Sequence, residues 1–127
     1  MARFYHVDIA RFVADADQKW VDNLLSHHDV PGVEGARQGL ARRITTAGVY
    51  HIALIRVLTQ HAGFSTINAV SLSERLLRSD GDNLPIAYEL AFRFDRSAFE
   101  RRIDAAIADA VESVAPARRG RPPKNAR

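Results

Sequence analysis

Hydrophobic residues along this chain recur mainly at helical spacing, and polar breaks divide them into five helical segments and one strand. Between Val7 and Ala14, the residues Ile9, Ala10, Phe12 and Val13 can cover one side of a short helix. Asp15 and Asp17 interrupt the pattern, and either can cap a second helix over residues 18–27. There Trp20, Val21, Leu24 and Leu25 form the apolar side, with Lys19, Asn23 and Ser26 opposite. Two short helices across a tight turn make a helix-turn-helix candidate, the polar face of the second being free to enter a major groove.

Residues 30–44 change character, because Pro31, Gly32, Gly35 and Gly39 punctuate a segment too rich in glycine to stay helical. The segment reads as a hairpin-like flap with Glu34, Arg37, Arg42 and Arg43 as its charges. Placed directly after a helix-turn-helix, such a flap resembles the wing of a winged helix, which grips the phosphate backbone.

A core helix is predicted over residues 46–62, with a threonine start, apolar residues around most of its circumference and a stop at Gly63. Ser65 caps the next helix, whose apolar face is Ala69, Val70, Leu72, Leu76 and Leu77. Residues 86–94 alternate apolar and other residues and read as a single strand, which must pair with the wing or with its symmetry mate in a second subunit. A last helix is predicted over residues 95–114. Its Phe99, Ile103, Ala106 with Ile107, Ala110 and Val114 suit packing on the strand or a short dimer seam.

The expected fold class is therefore mainly α with a small β component: a winged helix-turn-helix followed by a strand and a C-terminal helix. Residues 1–79 are read as the DNA-binding region, 80–114 as a dimerisation or partner-binding region, and 115–127 as a flexible basic tail that cannot bury enough apolar surface to fold alone.

Charge sharpens this picture. The net charge of +3 divides into −2 over residues 1–114 and +5 over residues 115–127, which hold no acid. Affinity for a polyanion must come from the tail plus a local patch, and must weaken as salt rises. The tail contains Arg118-Arg119-Gly120-Arg121-Pro122-Pro123-Lys124. Glycine permits close approach to a groove floor, prolines favour extended backbone, and guanidinium groups suit the negative potential of a narrow A·T groove. The run resembles the AT-hook, with its Arg-Gly-Arg-Pro core at Arg119, Gly120, Arg121 and Pro122. The alternative is a solvated basic tail.

Over residues 4–79 the order of segments resembles the MerR-like and excisionase-like winged-helix superfamily. Gly39-Leu40-Ala41-Arg42-Arg43-Ile44 matches its arginine-bearing wing, Ile52-Ala53-Leu54-Ile55-Arg56-Val57-Leu58 its third helix, and Gly63-Phe64-Ser65 the turn to its fourth. The Arg-Tyr pair usual in the second helix of MerR regulators is absent, as are their long coiled coil and any cysteine. Metal or redox sensing is therefore not implied.

No thiol chemistry is available to a chain without cysteine, and no apolar run suggests a signal peptide or a membrane span. Cytoplasmic, nucleoid-associated location is the expectation. His6, His27, His28, His51 and His61 form no metal-binding motif, and His27-His28-Asp29 reads better as a helix end. Trp20 is a core anchor or a stacking platform. No metal, cofactor or enzymatic activity is expected.

The reading is a homodimeric protein that binds double-stranded, A·T-rich DNA and regulates transcription. Gln18, Lys19, Asn23 and Ser26 would face the major groove, where Asn reads adenine and Lys reads guanine. Arg37, Gln38, Arg42 and Arg43 would hold phosphates. Arg119, Gly120, Arg121 and Pro122 would enter the minor groove, with Arg118 and Lys124 on flanking phosphates. The alternative is an antitoxin-type protein that holds a toxin or other partner and autoregulates through DNA.

Overall fold

Short polar side chains set the helix starts. Asp17 accepts the Trp20 N–H at 2.8 Å, Thr45 accepts from Gly48 at 3.2 Å, Ser65 from Asn68 at 3.4 Å and Asp95 from Ala98 at 3.0 Å. Each satisfies an amide that the first helical turn leaves without an intrahelical partner. His6 does the same with its ring nitrogen for Asp8. Of the two aspartates considered as caps for the second helix, Asp17 takes that role. Asp15 instead closes the first helix in a left-handed conformation, φ 54°.

The computed structural model describes residues 3–35, 42–79 and 82–119, with 114–119 as backbone only. Its elements in order are β1 (Phe4–Tyr5), α1 (Val7–Ala14), α2 (Gln18–His27), β2 (Val33–Glu34), β3 (Arg43–Thr45), α3 (Thr46–Gln60), α4 (Thr66–Arg78), β4 (Asn83–Ala87), β5 (Leu90–Arg93) and α5 (Arg96–Arg119). The fold is mainly helical with small antiparallel sheets. Among the described residues, no helix is long and apolar enough to cross a membrane.

β3 is the central strand of a three-stranded antiparallel sheet, with β1 on one side and β2 on the other. Ile44 pairs with both Tyr5 and Val33 and is fully buried. Two glycines allow this sheet to touch α3. Gly32 has φ +85°, and a side chain on it would meet the Gly48 nitrogen at 2.3 Å. Its carbonyl accepts both the Thr45 amide at 2.9 Å and the Thr45 hydroxyl at 2.8 Å.

One continuous core runs from Ile9 on α1 through α3 and α4 to Ala110 on α5. α3 is its axis, with Val49, Ile52 and Ile55 fully buried. Of the terminal helix, Phe99, Ile103, Ile107 and Ala110 are buried in this core; α5 lies chiefly along α1 and also touches α3, and its Phe99 meets Phe94, the last residue of the expected strand, with centroids 5.4 Å apart. The apolar stripe therefore serves the fold of its own chain rather than a dimer seam. Ala106 is only half-buried, and the Val114 side chain lies outside the described residues. α5 also continues to Arg119, so the main chain of residues 115–119 is helical where a flexible tail was expected.

The expected strand over residues 86–94 is corrected to a hairpin. β4 pairs antiparallel with β5 across a turn at Tyr88 and Glu89, so neither the wing nor a second subunit is needed to give it a first partner. Tyr88 has φ 54° and is fully exposed. Positive φ confined to the first turn position has the sign pattern of a type II′ turn, which suits the twist of a tight hairpin but is unusual for a bulky side chain. The hairpin's Phe92 packs edge-on against Phe64, centroids 5.7 Å apart, which docks it beside the turn between α3 and α4.

Candidate nucleic-acid interface

The polar face of α2 is open. Gln18, Lys19, Asn23 and Ser26 are all exposed, while Val21 and Leu24 on the opposite side are buried. This division follows from helical spacing: residues 18, 19, 22, 23 and 26 share one side when residues 21 and 24 face the core. Trp20 is half-buried against the core, with the Arg56 guanidinium 4.8 Å from its ring centroid. Arg56 also donates to the Asp15 carbonyl at 3.3 Å. One arginine of α3 thus clasps both sides of the turn between α1 and α2, and Trp20 serves as an anchor.

The β2–β3 hairpin is fastened to the same face of α2. Arg42 lies 3.5 Å from the Asp22 carboxylate and donates to the Ser26 hydroxyl at 3.1 Å. Between them runs a cleft whose lining includes Ser26, Asp29, Gly32, Val33 and Arg42. On the next residue, the Arg43 guanidinium stacks 4.0 Å above the Phe4 ring and lies 3.7 Å from Glu34 on the paired strand. It stays well exposed, so this ion pair is weak and the group is available to solvent.

Five of the residues selected from the sequence are therefore brought together, Gln18, Lys19, Asn23 and Ser26 on the exposed side of α2 with Arg42 bonded to Ser26, while Arg43 lies against Phe4 and Glu34 at the base of the hairpin. Three of the six have partners of their own, since Ser26 and Arg42 bond each other and Arg43 lies beside Glu34. Asp22 and Phe4 complete the arrangement and were not selected. Asp22 had a legible signal, four residues before Ser26 on the same helical side; Phe4 reaches Arg43 only through the β1–β3 pairing. Arg37 and Gln38, and Gly120, Arg121, Pro122 and Lys124 of the tail, lie outside the described residues. The main chain of Arg118 and Arg119 ends α5, their side chains being outside the description.

The histidines do not gather. His27 pairs its ring nitrogen with the Asn23 carbonyl at 2.8 Å, His28 caps the end of α2, and His51 is buried between α3 and α4 with Ser73 3.3 Å away. Among the described residues, no group of three or more His, Cys, Asp or Glu could hold a metal ion. Comparison with protein-family models, with curated proteins and with solved structures gives no match to this chain.

Proposed function

We propose that the protein binds double-stranded DNA and regulates transcription as a winged helix-turn-helix, with α2 in the major groove and the β2–β3 hairpin as the wing. One observation supports this reading above others: an exposed polar helix face is tied through Ser26, Arg42 and Asp22 to a two-stranded hairpin. A reading helix needs its orientation fixed by contacts to the backbone, and the β2–β3 pair supplies a neighbour bonded to α2 for that purpose. Lys19 and Asn23 are the base-reading side chains in this proposal, and Arg43 is the phosphate contact. In this proposal the sequence from Arg118 to Lys124, whose first two residues end α5, supplies an AT-hook-like contact to a neighbouring A·T-rich minor groove. Two modest contacts on one chain gain affinity from high effective concentration.

The test is fluorescence anisotropy with an A·T-rich duplex over a salt series, comparing the full chain with a chain lacking residues 115–127 and with Asn23→Ala. Deletion should weaken binding and flatten the salt dependence, whereas Asn23→Ala should reduce discrimination between sequences. Failure of the full chain to bind any duplex at low ionic strength overturns the proposal.

A further inference from the structure

The β4–β5 sheet has two outer edges, and they differ. Pro85 gives β4 no N–H at its middle, and the Pro85 carbonyl already accepts from Arg75 of α4 at 3.3 Å. That edge is closed to another strand. On β5, the Phe94 N–H is donated to the Asp82 carbonyl across the hairpin at 2.7 Å. Because main-chain polar groups alternate sides from residue to residue, Phe92 also turns toward β4, whereas Ala91 and Arg93 turn their N–H and C=O groups outward. Among the described residues, no further strand pairs with β5, and no other element hydrogen-bonds to its main chain.

We propose that this edge pairs with the β5 edge of a second copy of the chain, antiparallel and with two-fold symmetry about Ala91. In that register Glu89 lies opposite the partner's Arg93, and Arg93 opposite the partner's Glu89. A single symmetric contact therefore yields two opposite-charge pairs on the exposed face of the sheet. On the other face Leu90, 56 % exposed in the single chain, meets the partner's Phe92. The alternatives are worse: centring on Glu89 or on Arg93 opposes like charges, and centring on Leu90 or Phe92 opposes main-chain groups already turned toward β4. The two-fold pairing at Ala91 alone satisfies both hydrogen bonding and charge.

The pairing is independent of DNA binding, and its test reads mass. Light scattering and sedimentation of the full chain should give twice the 14.1 kDa chain mass. Glu89→Arg or Arg93→Glu alone should raise the dimer dissociation constant about tenfold or more, since each sets like charges opposite one another twice. An equimolar mixture of the two variants should reassociate, because every pair is then again of opposite sign. Ala91→Pro removes an outward N–H and should abolish the dimer while far-UV circular dichroism keeps the monomer's signal. A wild-type mass of one chain, a dimer indifferent to both charge reversals, or variants that fail to reassociate on mixing overturns the proposal; the mixing experiment decides should Ala91→Pro not fold.

Discussion

Tyr50 of α3 donates its hydroxyl to Asp104 of α5 at 2.6 Å, joining residues 54 apart in the chain. Together with the edge-on contact of Tyr50 and Phe99, it fastens the terminal helix to the core axis. Burial, then the Asp104 carboxylate, holds this hydroxyl well above the usual tyrosine value of 10.0. The folded state keeps a proton that the unfolded chain releases, so this contribution is full below pH 10 and is lost as pH rises beyond it. Tyr50→Phe should cost about 1 kcal/mol at neutral pH, because the bond is partly solvated, and should flatten the alkaline decline. Urea unfolding at a series of pH values checks both effects.

Gly48 should tolerate no side chain. A β-carbon there would meet the Gly32 carbonyl oxygen at 2.6 Å and Ile44 at 2.9 Å, and main-chain atoms cannot swing aside as a side-chain tip can. Gly48→Ala is expected to destabilise by about 1–3 kcal/mol despite the better helix propensity of alanine. Chemical denaturation measures the loss. A gain in stability would show that the sheet base and α3 are not in contact.

Acid should loosen the α3–α4 packing. Burial lowers the His51 pKa below its ordinary 6.5, and the Glu74 carboxylate opposes part of that shift. Glu74 and Arg78 of α4 line the same cleft, with Pro31 on the preceding loop. The Ser73 hydroxyl can give its proton to the Val70 carbonyl at 2.9 Å while its oxygen accepts from the neutral His51 ring. The unfolded chain binds the proton more readily, so stability is full above pH 6.5 and falls as pH drops below it toward the lowered folded value. His51→Leu should reduce the slope of melting temperature against pH over that interval.

Arg42 and Arg43 are adjacent, yet under the proposed DNA-binding function their substitutions should leave different signatures. Arg43→Ala removes an available cation and should lower the salt slope of binding by about one. Arg42 is only 22 % exposed and already faces Asp22, so Arg42→Ala should weaken binding by freeing the hairpin from α2 with less change in slope. Titrations at several salt concentrations separate the two. Equal slope changes would mean that Arg42 reaches phosphate itself.

Local patterns made the helices readable from sequence. Trp20, Val21, Leu24 and Leu25 gave α2 its face, and Ser65 marked the start of α4 before any tertiary contact was considered. The hairpin was hidden for a geometric reason. A two-residue turn pairs Ala87 with Leu90, which would put even-numbered residues opposite odd ones; the irregularity between Pro85 and Ala87 shifts the register so that Leu84 pairs with Phe92. Even positions then share one face on both strands, and the alternation runs through the turn as though it were one strand. Tyr88 gave no turn signal, being a residue that seldom adopts positive φ. At the candidate interface, the exposed positions of α2 followed from periodicity, whereas the grip of Arg42 on Asp22 and Ser26 depends on how the hairpin folds back. Such long-range contact leaves no local spacing to read.

Thr45 ends β3, pairs with Phe4, caps α3 and bonds the Gly32 carbonyl, so no spare residue separates strand from helix. A junction of this kind has no hinge. Any load that tilts the base of the hairpin must turn the long helix with it, making the pair behave as a single lever whose far arm ends beside the α3–α4 corner.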